Sequence, residues 1–321
     1  MKIAVLTSGG DSPAMNAALR AITRVGINRD CEIFGVFGGL QGILDEHIHE
    51  LNSRSVSRIL HRGGTILTTG RSEEFRTEAG QKQAAKILTD RGFDALIAIG
   101  GDGTMHALSA LSNHWKGCLI GLPGTIDNDL YGTDYTIGFD TAVNNALEAL
   151  DKIRDTAQSF QRIFLVEVMG RHAGFIAFHV GFATGASAIL MPETQTSFEE
   201  LADIVRKARE KAKSSVLVIV AEGDELGNAE YIGKELSERI GEKCRVSVLG
   251  YIQRGGNPTH FDRILATRLG AYAIECLLNG KHGGMVGEVD GNLVMTPFEE
   301  TWMNKKPIDQ WMLGLLEELS G

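Results

Sequence analysis

Proline and cysteine are scarce in this chain: 321 residues hold six prolines and four cysteines. With no Ser/Pro-rich stretch or low-complexity tract, a disordered linker between modules is not expected. Cys31, Cys118, Cys244 and Cys276 form no C-x-x-C pair, which excludes a zinc knuckle or a dithiol redox centre. They read as reduced and mostly buried. His47 and His49, two residues apart, cannot share a helical face and sit in no carboxylate-rich motif, so they read as solvated loop histidines. No long hydrophobic run is present at the start, where Met1–Leu6 gives way to Thr7-Ser8-Gly9-Gly10. That run is too short for a signal peptide or a membrane span, so a cytoplasmic location is expected. Positive charge is the minority, 32 Lys and Arg against 41 Asp and Glu, and the net charge of −9 argues against a general nucleic-acid or anionic-membrane surface. Individual arginine pockets remain to be judged one at a time.

What the chain has in quantity is glycine, 39 residues, within a 43% hydrophobic composition. Its length suits two closely packed domains. Short apolar runs at Ile3–Leu6, Ala95–Ile99, Leu119–Gly121, Ile163–Val168, Val216–Val220 and Val246–Leu249 alternate with amphipathic stretches. The clearest of the latter repeats Phe139, Ala142, Val143, Ala146, Leu147, Leu150 and Ile153 at three- and four-residue steps and predicts a helix from about Phe139 to Thr156. The alternation predicts an α/β protein with mainly parallel sheets covered by helices. Glycines fall where such strands end, which is where open α/β sheets bind ligands.

Three of these strand ends carry chemistry. Thr7-Ser8-Gly9-Gly10-Asp11-Ser12-Pro13 lets backbone N–H groups approach an anion, but lacks the G-K-[ST] ending of a Walker loop; a tight turn without a ligand would explain it as well. Gly100-Gly101-Asp102-Gly103-Thr104 places a carboxylate between glycines, suited to ligating Mg²⁺ beside phosphates, the plainer alternative being an Asp that only caps the next helix. Pro123-Gly124-Thr125-Ile126-Asp127-Asn128-Asp129 brings two carboxylates and a hydroxyl together, enough for a base, an orienting or metal-side acid and a phosphate donor.

Together with Val166-Glu167-Val168-Met169-Gly170-Arg171 and Gly250-Tyr251-Ile252-Gln253-Arg254-Gly255-Gly256, these loops resemble the bacterial-type 6-phosphofructokinases over almost the entire chain. The resemblance implies two Rossmann-like three-layer domains: a larger ATP-binding domain of residues 1–138 and 250–302, and a smaller sugar-phosphate domain of residues 139–249 and 303–321. It implies phosphoryl transfer from ATP to the 1-hydroxyl of fructose 6-phosphate, in glycolysis, by a homotetramer. Asp127 would accept the hydroxyl proton, Asp102 would hold Mg²⁺, and Asp129 would support the metal or the base. Gly10, Thr125 and Arg71 would face the transferring group, with Arg171 among the catalytic set. Arg71-Ser72, Gly103 and Thr104 would line the ATP site. The sugar site would use Thr125, Ile126, Asp127, Met169, Gly170, Arg171, Glu222, Tyr251 and Arg254, with Arg162 and Arg245 from a neighbouring subunit; Arg suits phosphate because its planar fork binds bidentately. Arg20, Arg24, Arg54, Arg154, Lys211 and Lys213 would form an effector site for ADP or phosphoenolpyruvate.

The sequence departs from the family at two places. Tyr251 replaces a His beside the sugar phosphate, and a phenol cannot become cationic. Ser187 replaces the acidic residue of the effector site, so weakened allostery is expected. Gly103 and Gly124 stand where pyrophosphate-dependent relatives tend to carry Asp and Lys, which favours ATP. The rival readings are pyrophosphate-dependent or other ketose-phosphate kinase, a lipid or nucleotide kinase sharing the glycine-aspartate loop, and a catalytically silent effector-binding subunit.

Overall fold

A computed structural model describes residues 1–210 and 215–320. In chain order the strands are β1 (Lys2–Thr7), β2 (Glu32–Val36), β3 (Ile48–Leu51), β4 (Ala95–Gly100), β5 (Cys118–Pro123), β6 (Ile163–Val168), β7 (Ala188–Leu190), β8 (Val216–Ala221), β9 (Arg245–Val248), β10 (Gly284–Val289) and β11 (Asn292–Pro297). The chain divides into two units, Met1–Thr141 with Arg254–Lys306, and Ala142–Gln253 with Pro307–Gly321. Both are α/β with mainly parallel sheets, as the alternation predicts.

The first unit holds a seven-stranded sheet in the order β11-β10-β5-β4-β1-β2-β3. Its middle is parallel, and antiparallel pairs with β3 and β11 close the two edges. The central strands are apolar on both faces because helices cover both. Ile3, Val5, Ile97 and Ile99 face one side, where Met15, Leu19 and Ile22 of the helix Met15–Ile27 meet Leu265, Leu269 and Ile274 of the helix His260–Leu278. Ala4, Leu6, Leu96 and Ala98, one residue out of phase, face Ala84 and Leu88 of the helix Glu78–Asp90 and Met105, Leu108 and Leu111 of the helix Asp102–Ser112. The period-two alternation thus builds three layers from continuous apolar runs.

The second unit holds a four-stranded, all-parallel sheet, β7-β8-β6-β9. Ile163, Leu165, Val216, Val218 and Val220 pack against Leu201 and Val205 of the helix Phe198–Glu210 and Ile232 and Leu236 of the helix Ala229–Ile240. The helix begun at Phe139 runs to Phe160, four residues beyond the sequence expectation. Cys31, Cys244 and Cys276 are buried free thiols and Cys118 is half-buried. His47 and His49 are exposed; His49 lies in β3, edge-on to Phe37 at 5.6 Å, rather than in a loop.

Candidate active site

In the first unit the three loops follow β1, β4 and β5, which are neighbours in the sheet, so parallel pairing alone sets their starting points side by side. Loop-to-loop bonds then fix them. The Gly124 amide donates to the Gly100 carbonyl at 2.9 Å, and the Ser8 amide to the Ile99 carbonyl at 2.9 Å. The Ser12 hydroxyl donates to the Ile137 carbonyl at 2.8 Å. The segment carrying Arg71 joins the same cluster, because Thr69 Oγ1 donates to the Gly9 carbonyl at 2.8 Å and Thr7 Oγ1 to the Thr68 carbonyl at 2.9 Å. Thr68 is held at φ 55°, an expensive backbone for a β-branched residue.

Asp102 opens the helix Asp102–Ser112. The N-cap is Gly101 and no side chain caps this helix, so the plain capping alternative does not hold. The carboxylate is part-exposed, with Oδ1 3.5 Å from Nε2 of His106 one turn on. Gly103 is exposed and Thr104 buried. The Ser72 hydroxyl, by contrast, is committed within the protein: it donates to Gln41 Oε1 at 2.6 Å and accepts from the Phe75 amide at 3.0 Å. Arg71 is exposed.

Asp127 is buried, 4% exposed, on a turn with its own internal frame. Its amide donates to Thr125 Oγ1 at 3.2 Å, and Thr136 Oγ1 donates to the Thr125 carbonyl at 2.6 Å. Next to it Asn128 takes the left-handed conformation, φ 55°, which Asn tolerates better than most residues. Ile126 is buried and Asp129 half-buried. Arg254, expected with the sugar residues, belongs to the first unit, and its guanidinium lies against the first glycine loop. A Cβ at Gly10 would sit 2.1 Å from Arg254 Nη1, and Asp11 Oδ1 is 3.9 Å away.

In the second unit Met169, Gly170 and Arg171 follow β6, and Glu222 follows β8, so they share the carboxyl end of paired strands. Glu222 Oε2 accepts from the Arg171 amide at 3.2 Å and caps no helix; the helix Ala229–Ile240 is capped by Asn228 instead, and its Ala229 amide donates to Glu167. Arg171 is at φ 56°. Arg162 and Arg245 lie at the other end of this sheet: Arg162 precedes β6, Arg245 begins β9, and β9 Arg245 pairs with Phe164. At about 3.3 Å per residue, roughly 20 Å separates the two groups along the strands. Arg162 stacks over Phe160 at 4.2 Å. Tyr251, in the turn Gly250–Arg254, is 81% exposed.

Of the effector candidates, Arg20 and Arg24 are half-buried on one helix and Arg54 is exposed. Arg24 Nη2 donates to the Ser53 carbonyl at 3.3 Å, bringing the helix face to Arg54's segment. Arg154, in the second unit, donates to the Thr184 carbonyl. Ser187 is buried just before β7. Lys211 and Lys213 lie outside the described residues.

A phosphofructokinase family model matches residues 2–277. The chain belongs to the phosphofructokinase family. The ATP-dependent 6-phosphofructokinase 1 of Thermus thermophilus is 49% identical over 319 residues, 99% of each chain, and the ATP-dependent 6-phosphofructokinase of Bacillus subtilis is 47% identical over the same span. The solved phosphofructokinase of Saccharomyces cerevisiae superposes with a TM-score of 0.87 at 34% identity over 99% of this chain, which spans 47% of that longer one. A pyrophosphate-dependent phosphofructokinase from Marinobacter aquaeolei gives a TM-score of 0.85 at 23% identity, a likeness of fold alone.

Within this phosphofructokinase framework, Gly103 and Gly124, the two glycines expected to favour ATP, have different surroundings. A Cβ at Gly103 meets nothing within 4 Å, so a side chain there is free to enter the space before the loop. A Cβ at Gly124 would lie 2.7 Å from Ile99 Cγ2 and 3.1 Å from the Gly100 amide nitrogen, so a side chain there would force its neighbours to shift. Two supporting residues escaped the sequence reading. Gln253 is fully buried, accepts from the Met169 amide at 3.3 Å and donates to the Gly250 carbonyl at 3.1 Å, bracing the Met169–Arg171 turn. Lys306 donates to Asn128 beside Asp127 at 2.9 Å. Gln253 lies inside a motif whose glycines and Arg drew the attention, and Lys306 has no local motif.

Proposed function

We infer that this chain transfers the γ-phosphoryl group of MgATP to the 1-hydroxyl of fructose 6-phosphate, giving fructose 1,6-bisphosphate and ADP, the glycolytic reaction for which its relatives are named. The observation that carries the reading is the joining of the Asp102 loop to the Asp127 loop through the Gly124–Gly100 backbone bond, at the ends of adjacent parallel strands. Phosphoryl transfer asks mainly for alignment and charge stabilisation, and two carboxylates held on one rigid frame answer that need.

In this reading Asp127 accepts the proton of the attacking hydroxyl, and its burial keeps competing water away. Thr125, the Gly10 amide and Arg71 supply donors to the phosphoryl oxygens, and Asp129 supports the metal or the base. The loss of one such donor costs about 3 kcal/mol in the barrier. Asp102 fits Mg²⁺, because a lone part-exposed carboxylate with phosphate oxygens beside it is the donor set this cation accepts. When bound, the cation neutralises charge on the phosphates. ATP is bound by Gly103, Thr104 and the Arg71-Ser72 backbone, the Ser72 hydroxyl being engaged elsewhere. Open space at Gly103 favours the bulkier nucleotide over pyrophosphate.

The sugar phosphate is held by Ile126, Met169, Gly170, Arg171, Glu222, Tyr251 and Arg254 of one copy and by Arg162 and Arg245 of a neighbour. The separation of those two arginines from Glu222, at opposite ends of one sheet, supports a site shared between copies, and the homotetramer is part of the same reading. The first unit serves as the ATP-binding domain, the second as the sugar-phosphate domain, in a cytoplasmic enzyme. Arg20, Arg24, Arg54, Arg154, Lys211 and Lys213 receive an ADP or phosphoenolpyruvate effector, more weakly than a site that keeps a carboxylate at Ser187. The test is an assay of the purified chain with fructose 6-phosphate and other ketose phosphates, each with ATP and with pyrophosphate. Turnover with ATP and fructose 6-phosphate far above the other pairs is expected; a preference for pyrophosphate would overturn the reading.

A further inference from the structure

The turn from Asp127 to Asp134 carries three carboxylates, Asp127, Asp129 and Asp134, in eight residues. Mutual repulsion works against any compact arrangement of such a turn. Its shape depends on the left-handed Asn128, whose Oδ1 accepts from the Thr136 amide at 2.9 Å and whose Nδ2 donates to the Asp134 carbonyl at 3.4 Å. A cation from far along the chain completes this frame. Lys306 Nζ donates to the same Asn128 Oδ1 at 2.9 Å and also to the Asp134 carbonyl.

We propose that Lys306 is a positioning residue for phosphoryl transfer, its ammonium clamping the two ends of the acidic turn so that Asp127 is presented at a fixed angle. The role rests on the reading of Asp127 as the base. Asn128 adjoins Asp127 directly, so a change in the Asn128 side-chain frame rotates the peptide from which the Asp127 side chain springs. A methionine at 306 would remove both a donor to that frame and a charge that offsets the carboxylates across the turn. Lys306 is half-buried, and burial pushes its ammonium down to about 8 from the ordinary 10.5, while the Asp134 and Asp129 carboxylates pull the other way. An ammonium placed there at that desolvation cost is anchored by its partners rather than by solvent.

The tertiary position adds a second consequence. Lys306 is the last residue of the first unit, and Pro307 begins the final segment of the second. The clamp therefore sits at the point where the chain leaves the unit that carries Asp127.

The proposal is tested with Lys306→Met, Lys306→Gln and Lys306→Arg in the full chain, measuring kcat, both KM values and the melting temperature, beside Asp127→Ser. Misplacing a reacting group by about 1 Å costs on the order of 100-fold, so kcat of Lys306→Met should fall roughly 10- to 100-fold with both KM values within about twofold. Lys306→Arg, which keeps the charge, should recover most of kcat. If Lys306→Met does not fold, Lys306→Gln carries the same comparison, since it keeps a donor and loses only the charge and some reach. An unchanged kcat in the neutral variants overturns the proposal. So does a fall in kcat that Arg fails to restore, or one matched by rising KM values and a lower melting temperature. An active Asp127→Ser would overturn the underlying reading instead; an inactive Asp127→Ser beside a normal Lys306→Met would overturn the clamp alone.

Discussion

The two units use their sheets in different ways. In the first, all the acidic and glycine-rich loops follow β1, β4 and β5, gather at one end of the sheet, and are laced together by backbone bonds. In the second, Glu222 and Met169–Arg171 occupy the carboxyl ends of β6 and β8, whereas Arg162 and Arg245 sit at the opposite ends of β6 and β9. In the proposed reading the first arrangement is the phosphate and acid-base platform. The second, in the same reading, holds two half-sites at opposite ends of its sheet, each completed by a second copy. On that reading the same parallel α/β construction concentrates the chemistry in one unit and distributes recognition between copies in the other.

The sharpest way to break this contrast is complementation. Arg162→Ala and Glu222→Ala should each raise KM for fructose 6-phosphate at least about tenfold, because a charged partner is lost. Mixed, unfolded and refolded together, they should regain about a quarter of wild-type activity at low sugar phosphate, since hybrid contacts assemble some intact sites from unaltered halves. A mixture no more active than its components would mean that the two half-sites do not serve one site.

Gly103 and Gly124 test the first unit alone. Gly124→Lys should destabilise by about 3 kcal/mol or more in chemical denaturation, because its Cβ collides with Ile99 and the Gly100 backbone. Gly103→Asp should change stability by only about 0.5 kcal/mol, while raising KM for ATP about tenfold by setting a like charge before the phosphates. Equal effects on folding would remove the distinction between a packing glycine and a clearance glycine.

How much of this was legible in the sequence follows from the range of each interaction. The strands β1, β4, β5, β6, β8 and β9 stood out as apolar runs, whereas β2, interrupted by Glu32 and Gly35, and the edge strand β3, with His49 and Glu50, blur the pattern. The three loops were legible because each is contiguous and abuts a strand. The start of the helix at Asp102 was not, since its glycine-rich first turn has little helix propensity and tertiary contacts decide it. Lys306 lies 178 residues from Asn128 and Asp262 lies 124 from Gly138, and no local spacing encodes either pairing. Arg254 was legible as part of its motif, but its approach to Gly10 was not.

The smallest expected effect on turnover belongs to Asp262, which acts on stability instead. Its carboxylate receives the Gly138 and Thr141 amides and the Thr141 hydroxyl where the first unit ends. Burial pushes this carboxyl up to about 6 from 3.8, against the pull of the Thr141 and Gly138 donors. Between those values the folded chain binds more protons than the unfolded one. The contribution is therefore full below about pH 4 and lost as pH rises through 6, by about 3 kcal/mol. Relative to Asp262→Asn, wild-type stability in urea should decline by that amount from pH 4 to pH 7. A difference that stays flat or grows with pH would contradict the assignment.

The division of labour within the first unit is tested most directly by steady-state kinetics of Asp127→Ser. A base within a preserved binding frame predicts a fall in kcat of about 1,000-fold with both KM values nearly unchanged. Near-normal turnover, or a loss carried mainly by KM, would contradict the account.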